Sequence, residues 1–258
     1  MTAAVDYEVW IPSRHRADTI GRTLAMIPSA KVYVDEREEG AYRPVVGRSE
    51  LMLHPPASGL VAVRAMMLKA CTATCLVMVD DDLRGVVSLV GIKVRKYTEP
   101  TAVLQIIENM VNVSADLGLP VFGWNRNPRP LQFFASDPFG LVGPVSGAWG
   151  MIGHGYKPDA GLSSYEDLDL TMQVLRKDRV VLVDRRFYFD FGGVWRGKGG
   201  NQGLRTSESE DRDRLILERK WGAYISVQKS SNVVRSKTSE TFGMSVRVRR
   251  RGKTATTR

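Results

Sequence analysis

The stretch Cys75-Leu76-Val77-Met78-Val79-Asp80-Asp81-Asp82 constrains the chain more than any other. Five apolar residues without alternation suit a strand buried on both faces, as in a parallel sheet. The three acids then fall at its carboxyl end, and in open α/β sheets the ligand crevice lies beyond those ends. Adjacent carboxylates repel, so they need either compensating charge or full solvation. Mg²⁺ and Mn²⁺ prefer carboxylate oxygens and are commonly held by one or two carboxylates together with substrate phosphates. Asp80, Asp81 and Asp82 therefore read either as a metal–diphosphate site or as a solvated acidic turn.

The flanking chain fits a parallel α/β sheet. Glu8-Val9-Trp10-Ile11 reads as a first strand, ended by Pro12, which has no N–H to give a ladder. Asp18 or Thr19 can cap a helix running to about Met26. Lys31-Val32-Tyr33-Val34 is a second strand, met at once by Asp35 and Glu36. Residues 43–53 carry no clear period, with Val45-Val46 a candidate short strand. Leu60, Val63, Met67 and Ala70 recur at helical spacing, as do Val103, Ile106, Ile107, Met110 and Val113 within residues 101–117. The strand–helix–strand order argues a Rossmann-like sheet.

From Val121-Phe122-Gly123-Trp124, a further strand, the texture changes. Residues 125–161 hold Pro128, Pro130, Pro138, Pro144 and Pro158 among glycines and aromatics, material for loops and antiparallel strands. Val180-Val181-Leu182-Val183 and Phe187-Tyr188-Phe189 read as strands, residues 192–203 as a glycine-rich loop, and residues 211–221 as a last helix. The expected division is one domain over 1–228, its two halves meeting near residues 124 and 125. Trp124, Trp149 and Trp195 can stack on a sugar or base, though tryptophans of this kind are more often core.

Charge separates the last thirty residues from the rest. The net charge is +9, and residues 229–258 carry nine Lys/Arg against Glu240 alone, so the body is close to neutral. Such a segment has little apolar surface with which to fold. It reads as a basic arm toward nucleic acid or as a solubilising end. Cys71 and Cys75 cannot build a disulfide framework and read as buried thiols, which implies a reducing, cytoplasmic setting. Residues 1–14 lack the pattern of a signal peptide, and no span of membrane length is free of charge.

A second acidic cluster is Ser163-Ser164-Tyr165-Glu166-Asp167-Leu168-Asp169. Leu168, Met172 and Leu175 mark the apolar stripe of a helix, and Ser163 with Glu166 matches a capping box. Asp167 lies in the first turn, off that stripe. Helix N-termini favour the anionic form, so Asp167 is a candidate general base toward an alcohol.

In this order the motifs resemble the GT-A nucleotide-sugar glycosyltransferases, chiefly the large inverting class. They are Pro12-Ser13-Arg14, Asp35-Glu36, Arg64, the DxD-like Asp80-Asp81-Asp82 and the pair Glu166-Asp167. The resemblance covers roughly residues 1–205. More narrowly, Ile11-Pro12-Ser13-Arg14-His15-Arg16-Ala17 and Gly199-Gly200-Asn201-Gln202-Gly203-Leu204-Arg205 are similar to phage glycosyltransferases that accompany TET/JBP-type oxygenases and decorate hydroxymethylated pyrimidines in DNA. The resemblance implies a UDP-sugar donor and Mn²⁺ or Mg²⁺ held by Asp80 and Asp82. Pro12, Ser13 and Arg14 would line the nucleotide pocket, Asp35 or Glu36 would contact uracil or ribose, and Arg64 would approach base or phosphate. Asp81 would belong to the donor contacts, and the glycine-rich loop reads on its own residues either as a diphosphate lid, with charge from Lys198 and from Arg205 just beyond it, or as a flexible surface loop. Asp167 would be the base beside Glu166. Many members place a late histidine on the metal; His15, His54 and His154 all precede Asp167, so Asp190 is the expected substitute. If phage-encoded, the protein would work in the host cytoplasm. Three other readings stay open: a polysaccharide or protein acceptor, a nucleotidyltransferase, and a non-catalytic DNA-binding protein.

Overall fold

The computed structural model describes residues 5–47, 49–57, 59–90, 93–126, 137–191, 206–229 and 242–246. Its centre is β4 (Cys75–Val79), all of it buried. To one side lie β1 (Tyr7–Pro12), β2 (Lys31–Asp35) and β3 (Glu50–His54), each pair parallel. To the other lie β9 (Ala148–Ile152), antiparallel, then β7 (Val121–Asn125) and β10 (Leu182–Asp190), parallel to each other. The hairpin β5 (Gly85–Val90) and β6 (Lys93–Tyr97) closes that edge, and β8 (Phe139–Gly140) pairs with β10 off the main path.

Period-2 alternation sorts the side chains into two cores. Val9, Ile11, Val77 and Val79 face α1 (Gly21–Met26), α2 (Glu39–Val46) and α4 (Pro100–Asp116). Trp10, Leu76 and Met78 face α3 (Leu60–Ala70), α5 (Glu166–Lys177) and α6 (Ser207–Trp221). Both faces being covered explains why β4 is uniformly apolar. Because β9 runs against both β4 and β7, the strands β1–β4, β7 and β10 all end at one rim. Ser13, Asp35, the three acids and Asp190 therefore gather there.

Several expectations change. Val45-Val46 is no strand: it ends α2, whose Tyr42 and Val46, four residues apart, are buried at helical spacing despite Pro44. Neither Asp18 nor Thr19 caps α1, which begins at Gly21, and Thr19 Oγ1 instead donates to the Arg16 carbonyl. The two late strands are one, β10, with an irregular register between Asp184 and Tyr188. Trp124 and Trp149 are core. The two expected halves share a single sheet. The expected unstructured arm contains a strand: β12 (Phe242–Val246) pairs with β11 (Ile225–Lys229) across the boundary placed at 228. Cys71 and Cys75 are buried free thiols, raised by burial to about 11 and about 12. No helix among the described residues is long and apolar enough to cross a membrane.

Gly150 is the tightest point of the sheet centre. A Cβ there would sit 2.1 Å from the Phe122 ring carbon Cζ on the paired strand. Gly150→Ala is expected to destabilise by about 1–3 kcal/mol, since overpacking must displace the ring. Urea midpoints with an unchanged slope check this; an unshifted midpoint would mean that Phe122 moves freely.

Candidate active site

The acidic loop after β4 is stapled to the loop after β1. Ser13 Oγ donates to Asp81 Oδ2 at 2.6 Å and lies 2.7 Å from Tyr42 Oη. Arg16 N donates to that phenol at 3.0 Å, and Arg16 Nη1 donates to Asp81 Oδ1 at 2.6 Å and to Asp82 Oδ2 at 3.1 Å. Thr23 Oγ1 donates to the Asp81 carbonyl at 2.7 Å and accepts from Leu83 N at 3.0 Å. Asp81 is thus a buried tie beneath the rim, while Asp80 and Asp82 each keep 34% of the side chain exposed. Burial pushes the Tyr42 phenol up to about 12, so it stays a neutral donor.

Arg64 joins the two acidic motifs. Its guanidinium, 3% exposed, donates from Nη2 to Asp80 Oδ1 at 2.8 Å and from Nη1 to Glu166 Oε1. It also lies over the Trp149 ring. Burial alone would lower its pKa, but Glu166, Asp80 and Asp167 together outweigh that and raise it. Asp167, half-buried in the first turn of α5, is close enough for its charge to act on both Arg64 and Asp80.

The expected capping box is absent. The N-cap of α5 is Tyr165, at φ 61 and ψ 20, with no side-chain cap. With Tyr165 as N-cap, Ser163 and Glu166 do not occupy the N-cap and N3 positions of a capping box; Ser163 donates to the buried Asp213 carboxylate on α6 and Glu166 accepts from Arg64. Arg64, expected at base or phosphate, has both terminal nitrogens engaged by these carboxylates.

The charge balance suits a cation. Asp80, Asp81, Asp82, Glu166 and Asp167 gather around the guanidinium groups of Arg16 and Arg64. Burial raises the pKa of all three aspartates despite those arginines. The residual negative charge and the partly exposed oxygens of Asp80 and Asp82 fit Mg²⁺ or Mn²⁺ held by two carboxylates plus phosphate. A complete protein cage is not present: among the described residues no group of three or more His, Cys, Asp or Glu could hold a metal ion. Asp190 reaches the same rim, its carbonyl accepting from Arg84 N, but its carboxylate Oδ2 accepts from Lys96 Nζ at 3.2 Å.

Asp35 is buried beneath the rim and chelated by Arg37, whose side-chain hydrogen bonds hold the carboxyl well below its usual range. Glu36 is exposed beside it, Pro12 is buried and Arg14 half-buried. Lys198, Arg205 and Trp195 lie outside the described residues. Sequence reasoning missed Arg16, Tyr42 and Asp213 as parts of the site's frame. Tyr42 had a signal in its four-residue spacing from Val46, and Arg16 in lying within the segment 11–17, but neither signal marks its partner.

Neither a protein-family model nor a curated protein sequence matches the chain. Solved structures do. S. aureus TarS 1–349 with UDP-GlcNAc superposes with TM-score 0.52 at 13% identity, over 82% of this chain and 65% of that one. Glucosyl-3-phosphoglycerate synthase of Mycobacterium tuberculosis, with Mn²⁺, UDP-glucose and phosphoglyceric acid, gives 0.51 at 11% identity, over 93% and 89%. The Pyrobaculum calidifontis mannosyltransferase PcManGT, with GDP-mannose and Mn²⁺, gives 0.50 at 14%, over 71% and 58%. The chain thus spans under two thirds of the length of the TarS and mannosyltransferase chains. At these identities the likeness establishes a GT-A fold.

Proposed function

We propose that the chain is a metal-dependent inverting glycosyltransferase, moving a sugar from a UDP-sugar to a hydroxyl. The observation that carries the reading is the Arg64 bridge, which draws the rim acids and the acidic start of α5 into one cluster. Support also comes from fold neighbours that hold Mn²⁺ with a sugar nucleotide. Asp80 and Asp82 would hold the cation, with Asp190 the further candidate after release from Lys96. When bound, the cation supplies Lewis-acid stabilisation to the departing diphosphate. Pro12, Ser13, Arg14, Asp35 and Glu36 would line the donor pocket, with Lys198 and Arg205 adding charge at the diphosphate. Asp167 takes the proton of the acceptor hydroxyl as its oxygen bonds to the anomeric carbon. The bond from that carbon to the diphosphate oxygen breaks, UDP leaves, and the configuration inverts.

The acceptor in this reading is the hydroxymethyl group of a 5-hydroxymethylcytosine-type base in DNA, reached in single-stranded or flipped form. The basic end of the chain and the segments 11–17 and 199–205 support it. Incubation with a panel of UDP-sugars and hydroxymethylated or plain DNA, followed by nucleoside mass spectrometry, tests both steps. The expected result is one added sugar on hydroxymethylated DNA only, lost in EDTA and restored by Mn²⁺. Release of pyrophosphate in place of UDP would make the chain a nucleotidyltransferase. Transfer to polysaccharide or protein alone would keep the enzyme and remove the DNA acceptor.

The β11–β12 pairing refines the test of the basic end, because removal from 229 would cut that hairpin. Truncation after Val246 spares it and still removes Arg247, Arg249, Arg250, Arg251, Lys253 and Arg258. DNA affinity across a salt series should then show a shallower log–log slope, by about 0.9 for each phosphate that is no longer neutralised. Equal slopes would separate these cations from DNA binding.

A further inference from the structure

The turn that launches Glu166 and Asp167 is held by a buried acid from another helix. Asp213 on α6 is fully buried, and its Oδ2 accepts four hydrogen bonds. Ser163 donates from N at 3.0 Å and from Oγ at 2.8 Å; Ser164 donates from N at 2.6 Å and from Oγ at 3.0 Å. Oδ1 has no hydrogen-bond partner among the described residues, with Arg212 Nη2 at 3.6 Å. A second buried acid fixes the same pair of helices. Asp169 of α5 accepts from Trp221 Nε1 at 2.8 Å and from Gln173 Nε2 at 2.7 Å, and pairs with Lys220 at 2.7 Å.

Tyr165 follows Ser164 directly and is left-handed, at φ 61. A bulky residue adopts that region only where its surroundings impose it, and such strain clusters at functional sites. Helix α5 has no side-chain cap of its own to set the turn. Both amides before Tyr165 are instead fixed on one carboxylate oxygen.

We propose that Asp213 is the positioning residue for Asp167: by gripping Ser163 and Ser164 it holds Tyr165 left-handed and so sets where the Asp167 carboxylate leaves the helix. This rests on the reading of Asp167 as the base of glycosyl transfer. A misplacement near 1 Å can cost a reaction about a hundredfold, so the grip is felt in turnover. Donor binding, which uses the β1 loop, is not routed through it, whereas the cation site is linked to the turn through the Glu166–Arg64–Asp80 pairs.

The test is Asp213→Asn in the full chain. Hydrogen exchange should quicken at the amides of Ser163 and Ser164 and through residues 165–168. The kcat should fall about 10–100-fold, with KM for the UDP-sugar little changed. Adding Tyr165→Gly, which removes the penalty for positive φ, should restore part of kcat. Quickened exchange with unchanged kcat overturns the proposal, as does an equal loss of kcat and donor binding, which would mark general support of the fold. If Asp213→Asn does not fold, Ser164→Ala should give the same split in weaker form, and no split overturns it. Should the parent protein transfer no sugar, the functional reading fails, while unchanged exchange at residues 163–168 would by itself overturn the grip.

Discussion

Asp167→Asn should lower kcat by ~10²–10⁴-fold, the usual span for removing a general base, while UDP-sugar binding stays within a few-fold. Asparagine keeps the shape but takes no proton. Asp167 lies in the first turn of α5, where the helix terminus favours an anion, and Leu168 N donates to its Oδ1 at 2.8 Å. One carboxylate oxygen is oriented in this way. The informative comparison is Glu166→Gln. Read as a capping-box partner, Glu166 would tolerate amidation; buried against Arg64, it contributes charge that Gln lacks. That variant should lose stability first, with turnover following. Single-turnover rates beside donor affinity separate the two residues. A dead Glu166→Gln with intact donor binding, together with an active Asp167→Asn, would reverse the assigned roles.

Arg64→Met should destabilise the protein by about 3–5 kcal/mol, the scale for removing one partner of a buried ion pair. Asp80 and Glu166 would both lose their cation at once. The effect should depend on pH with a definite sign. Burial already raises the Asp80 pKa, so the folded state holds that proton more tightly than the unfolded chain does. Stability from such a group falls as pH rises through the folded pKa. Without Arg64 the penalty should therefore grow toward neutral pH and shrink in acid. Denaturation midpoints at several pH values check this. A pH-independent difference between Arg64→Met and the parent would mean that packing on Trp149, and not charge, sets the cost. Adding Asp80→Asn and Glu166→Gln should recover part of the stability while leaving transfer abolished.

The parts legible in the sequence were those encoded in periodicity. The apolar run of β4, the stripe of α4 and the placement of three acids at a strand end all follow from local spacing. The site's frame was not legible, because it is built from partners far apart in the chain. Arg64 meets Glu166, Arg16 meets Asp81 and Ser164 meets Asp213, and no local pattern marks such pairs. The capping box was misread for the same reason: Ser163 and Glu166 have the right spacing, yet each finds a distant buried partner. The strand expected at Val45-Val46 failed because two β-branched residues outweighed the Tyr42/Val46 spacing that α2 obeys.

The position of β9 bears on how the chain acquires its structure. β4 and β7 are joined only through β9, which comes later in the chain than either. Until it arrives, β4 is the open edge of the β1–β4 sheet and β7, whose other neighbour β10 comes later still, has no partner, so either can pair with the wrong strand or with another molecule. Closing the long intervening loop adds little entropy, about 0.6 kcal/mol for each doubling of its length. The distant contacts nevertheless delay the rewarding step and slow folding. On the ribosome, β1–β4 and β7 must wait for residues 148–152 to emerge before the rim has its final shape. The acidic cluster therefore assembles late, after the part of the chain that carries Asp80 and Asp82 has already been synthesised.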